Sequence, residues 1–440
     1  MMTCLDTRAI VRLVGGAARL ALLAVVALCV ASCGSGGSSG GGSALIRVFN
    51  AVVDGGPITV TVGTQTAATA LPFEGLTPYK TVNAGSQELK VVPAGGGSPI
   101  VDATVLLNGG TNYSYVLFGT ASTPIALLIQ DALATLATGQ FGLRITNAAF
   151  GSSPLDVYLT AAGASLDGLS PNIGNVAANN TSAFIAVTTG TYQVRFTLQN
   201  SKQVLYDAGT LTFANGVSYA LVVYSKASGT LVNAALLLMD TNGTGSIANS
   251  TISEFKLVHA APLTGSINAR VNGTLAFANV PYRGVTSYGT LGVGTQTVTI
   301  EVAATPGAVI ASAQPPFSPA TDTSIVVTGL PGAQTALLLA DNNLPGTTGS
   351  ARMRVVNVAP GLGAVDVLIN FAKRVAALNT NAASSYVELV EDTYTINFDL
   401  ADTTTIVLNL PSVSVTAGRT YTLYLMGTPG ALAGVLTRDD

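Results

Sequence analysis

The side chains that could carry out catalysis are few, and their spacing does not favour it. A nucleophilic serine needs a base beside it, and the chain of 440 residues has one histidine, His259. The Gly-x-Ser-x-Gly pattern at 36–40 lies in a run of only Gly and Ser, where a strained nucleophile elbow cannot form. Ser253 and Lys256 are spaced as Ser-x-x-Lys, but that pair requires a helical turn, and this segment is predicted to open a strand. The sequence therefore predicts a protein that is not an enzyme, and a hydrolase of unknown substrate is the distant alternative.

Two segments between repeated units carry oxygen-bearing side chains at alternate positions, at 240–244 and 341–343. Linkers of this kind can hold Ca²⁺ in tandem β-sandwich proteins, but calcium takes about six to eight oxygen ligands and each segment offers one carboxylate. We therefore predict solvated linkers and no cofactor, and calcium stays open as an alternative.

One sequence motif occurs four times along the chain. Each copy opens with a basic residue three positions before Asn or His, and it closes, one small-domain length later, with an aliphatic run that ends in Asp. The openings begin at Arg47, Arg144, Lys256 and Arg354, and the closings end at Asp131, Asp240, Asp341 and Asp439. A repeat of this length is a whole small domain, so the chain is an array of similar modules.

The recurring charges suggest ion pairs at the ends of the modules. If the first and last strands of a module are close, the expected pairs are Arg47 with Asp131, Arg144 with Asp240, Lys256 with Asp341 and Arg354 with Asp439. If exposed, each pair would contribute about 0–1 kcal/mol and would set register more than stability.

Within each copy, apolar and polar residues alternate over short runs, as in 58–62, 192–196 and 394–398. A period of two with Val, Ile, Thr and Tyr is typical of half-buried strands. The sequence thus predicts an all-β tandem array of four immunoglobulin-like (Greek-key) antiparallel β-sandwich modules, with a closed barrel as the alternative. The module boundaries are predicted at 45–131, 141–240, 253–341 and 351–440.

An apolar-x-x-Gly-x-x-Tyr pattern precedes a strand in three of the modules. The tyrosines are Tyr113, Tyr219 and Tyr421, whereas the third module has Thr323 instead and no Gly. In Greek-key sandwiches a tyrosine at such a corner bonds to the nearby backbone. We expect three structural tyrosine corners and a looser corner in the third module.

The first 33 residues resemble a bacterial lipoprotein signal, with three Arg before an apolar stretch and small residues before Cys33. Cys33 is the predicted lipidation site, and residues 34–44 form a Gly/Ser-rich tether. An ordinary cleaved signal is the alternative. By resemblance to the sorting rules of Gram-negative lipoproteins, Gly34 after the cysteine implies a protein anchored in the outer membrane.

Charge argues against nucleic acid as a partner. Only 9% of the residues are charged, and the 19 basic residues are scattered among 22 acidic ones. No basic cluster is therefore available to neutralise phosphates. The predicted partners are the membrane, through the lipid anchor, and a surface protein or polysaccharide.

The repeated openings, together with 154–158, Gly190-Thr-Tyr192 and His259-Ala-Ala-Pro262, resemble the bacterial domain-of-unknown-function 4397 family (DUF4397). The resemblance covers nearly all of the chain after the tether, and it implies a secreted or anchored β-sandwich with no known reaction. We therefore expect a non-catalytic cell-envelope lipoprotein with a structural or adhesive role. A polysaccharide- or glycan-binding surface protein is the alternative.

Overall fold

The computed structural model describes residues 42–240 and 242–439, and in that part of the chain every regular element is a strand. The signal segment 1–33 with Cys33 and most of the tether 34–44 lie outside the described residues. None of the described residues forms a helix that is long and apolar enough to cross a membrane.

The strands fall into four modules. Module 1 has β1 (Ser43–Val52), β2 (Ile58–Val62), β3 (Gln65–Leu71), β4 (Lys80–Asn83), β5 (Gly85–Pro93), β6 (Val101–Leu107), β7 (Asn112–Gly119) and β8 (Pro124–Gln130). Module 2 has β9 (Gln140–Ala148), β10 (Leu155–Thr160), β11 (Ile173–Val176), β12 (Ile185–Thr188), β13 (Gly190–Leu198), β14 (Val204–Phe213), β15 (Ser218–Ser225) and β16 (Val232–Leu238), followed by the linker strand β17 (Gly245–Ala248).

Modules 3 and 4 repeat the same plan with short additions. Module 3 has β18 (Ile252–His259), β19 (Ile267–Val271), β20 (Thr274–Val280), β21 (Gly289–Gly292), β22 (Gly294–Thr295), β23 (Val298–Val302), β24 (Val309–Ala313), β25 (Pro316–Phe317), β26 (Asp322–Thr328) and β27 (Thr335–Asp341). Module 4 has β28 (Ser350–Asn357), β29 (Val365–Ile369), β30 (Ala372–Leu378), β31 (Ala382–Ala383), β32 (Val387–Val390), β33 (Asp392–Leu400), β34 (Ile406–Val415), β35 (Thr420–Met426) and β36 (Ala433–Arg438).

Each module is a sandwich of two sheets around its own apolar core. One sheet, here called the terminal sheet, contains the first and last strands, in the order β4-β1-β7-β8 in module 1. The other, here called the outer sheet, has the order β3-β2-β5-β6. The predicted all-β array of sandwiches is confirmed.

The terminal sheets are mixed rather than purely antiparallel. The first strand of each module runs parallel to the next-to-last one, as β1 with β7, β9 with β15, β18 with β26, and β28 with β35. A hairpin forces antiparallel neighbours, but these two strands are joined through the whole outer sheet, so the chain can return in the same direction.

The modules pack in pairs, with terminal sheet against terminal sheet. Between modules 1 and 2, Phe49 and Phe118 meet Val222 and Leu237 in an apolar layer. Between modules 3 and 4, Val258 and its neighbours meet Val356, Tyr424 and others. The terminal sheets are therefore covered on both faces, which favours continuous aliphatic runs over alternating ones. Their closing edge strands β8, β27 and β36 are only partly buried.

Candidate module-pairing interface

Asp131 lies at the centre of the contact between modules 1 and 2. It follows β8, and its side chain is 1% exposed. Arg47 on β1 donates from Nη2 to Asp131 Oδ2 at 3.2 Å, and Arg144 on β9 donates from Nη2 to Asp131 Oδ1 at 2.7 Å. One buried carboxylate thus binds the opening arginines of two modules. The same Arg47 also donates to the carbonyl of Leu238 in module 2 at 2.9 Å.

Two hydroxyl groups of module 1 hold Asp131 in place. Tyr79 donates from Oη to Asp131 Oδ2 at 2.5 Å, and Ser114 donates from Oγ to the same oxygen at 2.6 Å. The Arg47 guanidinium lies over the Tyr79 ring, 4.9 Å from its centroid. Burial and the Asp131 charge raise the pKa of Tyr79 well above its usual range, so its phenol stays a donor at neutral pH.

The expected pair of Arg144 with Asp240 does not form. Asp240 instead accepts hydrogen bonds within its own turn, from the backbone N–H of Gly243 at 2.6 Å and the hydroxyl of Thr244 at 2.8 Å. Module 2 lacks the two hydroxyls that orient Asp131. Ala220 is the strand neighbour of Arg144, as Ser114 is of Arg47, and Phe184 is the ring beneath Arg144.

Modules 3 and 4 exchange their charged partners, which corrects the expected pairs of Lys256 with Asp341 and Arg354 with Asp439. Lys256 of module 3 pairs with Asp439 of module 4, and Arg354 of module 4 pairs with Asp341 of module 3. The physical reason is the packing. The facing terminal sheets of modules 3 and 4 bring each closing carboxylate to the basic residue of the other module.

Hydroxyl donors accompany both exchanged pairs. Asp341 accepts from Tyr288 Oη at 2.5 Å and from Ser324 Oγ at 2.7 Å, as Asp131 does in module 1. Asp439 accepts from the hydroxyls of Thr422 and Thr437.

All of these ion pairs are buried, so the small contribution given above for exposed pairs does not apply to them. The charged side chains of the four pairs are between 0% and 8% exposed. Removing one partner of a buried pair leaves an uncompensated charge and costs about 3–5 kcal/mol.

The rings beneath the cations were missed by the sequence reasoning. Tyr79, Tyr288 and Tyr386 lie against the basic residues that open modules 1, 3 and 4. Each of them follows its basic residue by the same number of positions, and that constant spacing is a signal which could have identified them.

The three corner tyrosines lie where the pattern places them, just inside β7, β15 and β35. Each hydroxyl accepts the backbone N–H five residues upstream, at 2.9 Å for Tyr113, 3.1 Å for Tyr219 and 3.2 Å for Tyr421. All three rings are buried. These side chains therefore fix the turn before the strand.

The candidate catalytic side chains are also held in structural contacts. His259 is fully buried, and its Nε2 lies 3.0 Å from the carbonyl oxygen of Gly265. Burial lowers the pKa of His259 below its ordinary value. Ser253 donates to the carbonyl of Thr321 at 2.7 Å, and Lys256 is committed to Asp439.

Comparison with solved structures gives only weak similarities. A family 26 carbohydrate-binding module from Eubacterium rectale Amy13K, in complex with maltoheptaose, is 16% identical, with 43% of this chain and 95% of that chain covered and a TM-score of 0.15. The Bacillus anthracis TIE protein is 10% identical, with 88% and 68% covered and a TM-score of 0.15. A point variant of BcpA, the major pilin subunit of Bacillus cereus, is 10% identical, with 66% and 99% covered and a TM-score of 0.13.

No curated protein matches the chain in sequence. A family described as "Domain of unknown function (DUF4397)" matches residues 44–158, 253–368 and 353–440. The first two matches each run from the start of one module into the first strands of its packing partner. They include all the paired charged residues of the two interfaces except Asp439, which lies in the third match. Because these matches cover more than half of the sequence, the chain belongs to the DUF4397 family.

Proposed function

We propose that this protein is a non-catalytic component of the cell envelope, a structural or adhesive array of β-sandwiches held to the membrane by a lipid on Cys33. The proposal rests on where the charged side chains of the four-fold repeat lie. They join modules to each other inside the protein, as Arg144 does with Asp131, instead of lining an open cleft.

This arrangement favours a scaffold for a mechanical reason. Each pair of modules is joined by an apolar layer and by buried ion pairs, so the unit that presents a surface is two modules rather than one. Repeated surfaces on a stiff unit gain avidity for an extended partner, because binding of one raises the effective concentration of the next.

A pull-down with the full chain tests the adhesive role. We expect the full chain to recover an envelope or extracellular protein. A chain that lacks modules 3 and 4 should no longer retain that partner. Recovery of no partner, combined with turnover of a hydrolase substrate panel, would contradict the proposal.

Metabolic labelling with radioactive palmitate tests the anchor. We expect incorporation into the wild-type chain and none into Cys33→Ala. Equal labelling of the two chains would refute lipidation at this residue.

Glycan binding is a second candidate because of one exposed ring. Phe371 is 75% exposed and is the only exposed aromatic residue in the described part of the chain. It occupies the two-residue turn between β29 and β30, where Asn370 and Phe371 have φ of 46° and 65°. A turn of this type favours Asn-Gly, and the corresponding turn of module 3 is Asn272-Gly273.

A bulky residue at positive φ costs about 1–3 kcal/mol, and such strain is typical of functional positions. A glycan array with Phe371→Gly tests this role. If Phe371 stacks on a sugar, the variant loses glycan binding and becomes more stable. Leu263→Gly, at another exposed position with positive φ, is the control that should retain binding. Unchanged binding by Phe371→Gly would remove this candidate.

A further inference from the structure

Two buried carboxylates lie side by side at the junction of modules 2 and 3. Glu254 on β18 and Asp322 on β26 are register neighbours in the parallel pair, so their side chains project from the same face of the sheet. Their relative exposures are 4% and 2%. The nearby ion pairs of Lys256 and Arg354 use other carboxylates, Asp439 and Asp341, and Asp341 is the strand neighbour of Asp322.

Two oxygen atoms beside these carboxylates lack a hydrogen-bond partner. Asp322 Oδ2 accepts from the backbone N–H of Gly229 at 3.1 Å and from Asn343 Nδ2 at 2.8 Å. Asp322 Oδ1 and Asn343 Oδ1 are buried and accept no hydrogen bond. The two unpartnered oxygens thus belong to two side chains that are in direct contact. Unsatisfied buried oxygens are uncommon in native proteins and need an explanation.

The charge around the junction is also unbalanced. Among residues 42–240 and 242–439, Glu254 and Asp322 have no basic side chain within ion-pair distance, and Lys256 and Arg354 are committed to Asp439 and Asp341. Burial raises the pKa of Asp322 to about 7, and burial also raises the pKa of Glu254. A buried carboxylate with no counter-charge either takes a proton or binds a cation.

We propose that Asp322, Glu254 and Asn343 bind a calcium ion that ties the 227–230 loop of module 2 to module 3. The ligand set is all oxygen, as calcium requires, with two carboxylates, the Asn343 amide oxygen and a neighbouring hydroxyl. Glu254 Oε2 already accepts from the Thr230 hydroxyl at 2.8 Å. Only two of the proposed ligands are acidic residues. Among the described residues, no group of three or more His, Cys, Asp or Glu is placed to hold a metal ion.

A cavity lies beside the proposed site, and the site lies where two pairs of modules meet. A cavity of about 230 Å³ reaches the junction and is lined in part by Ser228, Thr230 and Asn343. The backbone of Asn343 donates to the carbonyl of Ala227 at 2.8 Å, so the same loop already contacts the 3–4 linker. Calcium here would fix the first pair of modules to the second. This goes beyond the proposed envelope role, which stands with or without the ion.

Calorimetric titration and thermal unfolding of the full chain in detergent, stripped with EDTA, test the site. We expect heat of Ca²⁺ binding and a rise in Tm on adding Ca²⁺. Asp322→Asn should lose both responses, and in the absence of Ca²⁺ it should melt above the wild type, because it removes a buried unpaired charge. Glu254→Gln is the second variant, and it should weaken Ca²⁺ binding at least tenfold.

Asp240→Asn is the matched control, because that linker carboxylate only caps its own turn, and the Ca²⁺ response should survive in it. Terbium luminescence gives an independent readout. The chain has no Trp, so a tyrosine must sensitise the terbium ion. Tyr288 is close enough to do so, because its Oη lies 2.9 Å from Asn343 Nδ2. Absence of a Ca²⁺ response in the wild type, or equal responses in the wild type and Asp322→Asn, would overturn the proposal.

Discussion

Replacing Asp131 and Asp240 separately by alanine distinguishes the packing of the modules from the sequence repeat. The two residues close equivalent strands of modules 1 and 2, so the repeat alone predicts equal effects. In the structure Asp131 is buried between Arg47 and Arg144, whereas Asp240 is partly exposed and bonds to its own turn. We therefore expect Asp131→Ala to be far more destabilising.

The magnitudes follow from the contacts. Asp131→Ala leaves two buried guanidinium groups uncompensated and removes the acceptor of two hydroxyls, so we take its cost as about 4 kcal/mol, inside the range for broken buried pairs. Asp240→Ala exchanges turn hydrogen bonds for water and costs about 1 kcal/mol. The difference of roughly 3 kcal/mol corresponds to about a hundred-fold in an opening equilibrium.

Hydrogen exchange with mass spectrometry on the full chain measures this difference where it arises. Amides of β1 and β9 should exchange about a hundred-fold faster in Asp131→Ala than in Asp240→Ala, given the same difference of roughly 3 kcal/mol. Amides of modules 3 and 4 should be unchanged and serve as the internal control. Asp131→Asn, which keeps an acceptor but loses the charge, should fall between the two. Equal exchange in the two alanine variants would refute the assignment of Asp131 as the shared carboxylate.

Three other outcomes follow from the same contacts. Lys256→Met alone should lower the free energy of unfolding by about 3–5 kcal/mol. Lys256→Met with Asp439→Leu should recover most of that loss, since a buried pair exchanged for apolar groups is near neutral. Urea unfolding measures both, and additive effects of the two substitutions would contradict this. In calcium-free buffer, Asp322 should make the protein less stable as pH rises from 3.8 to about 7, because its raised pKa favours proton binding in the folded state, and thermal melts of Asp322→Asn should lack that slope. Tyr421→Phe should cost about 0.5–1.5 kcal/mol in urea unfolding, because the N–H of Thr416 loses its acceptor, and a neutral result would argue against a structural corner.

Local sequence was sufficient for the parts of this fold that depend on neighbours along the chain. Alternating residues such as those of β2 and β33 predict strands, because a half-buried strand needs that period. The Gly and Tyr spacing before Tyr113 predicts the corner, because its hydrogen bond spans five residues. The four-fold repeat predicts the number of modules.

The partners of the charged residues could not be predicted in this way. Arg144 and Arg354 open their modules with the same sequence motif as Arg47, yet each binds the closing Asp of the preceding module. That choice depends on terminal sheets that face each other, and residues far apart in sequence create those faces.

The sequence by itself therefore determined an array of four β-sandwiches with recurring buried and charged positions, because strand periodicity and turn chemistry are local. Only the tertiary structure decided that the modules act in pairs and that Asp131 is shared while Asp240 caps its own turn. The physical reason is that a buried charge is satisfied by whichever opposite charge and hydroxyl donors the packing brings to it. Ala220 and Phe184 provide no such donors in module 2.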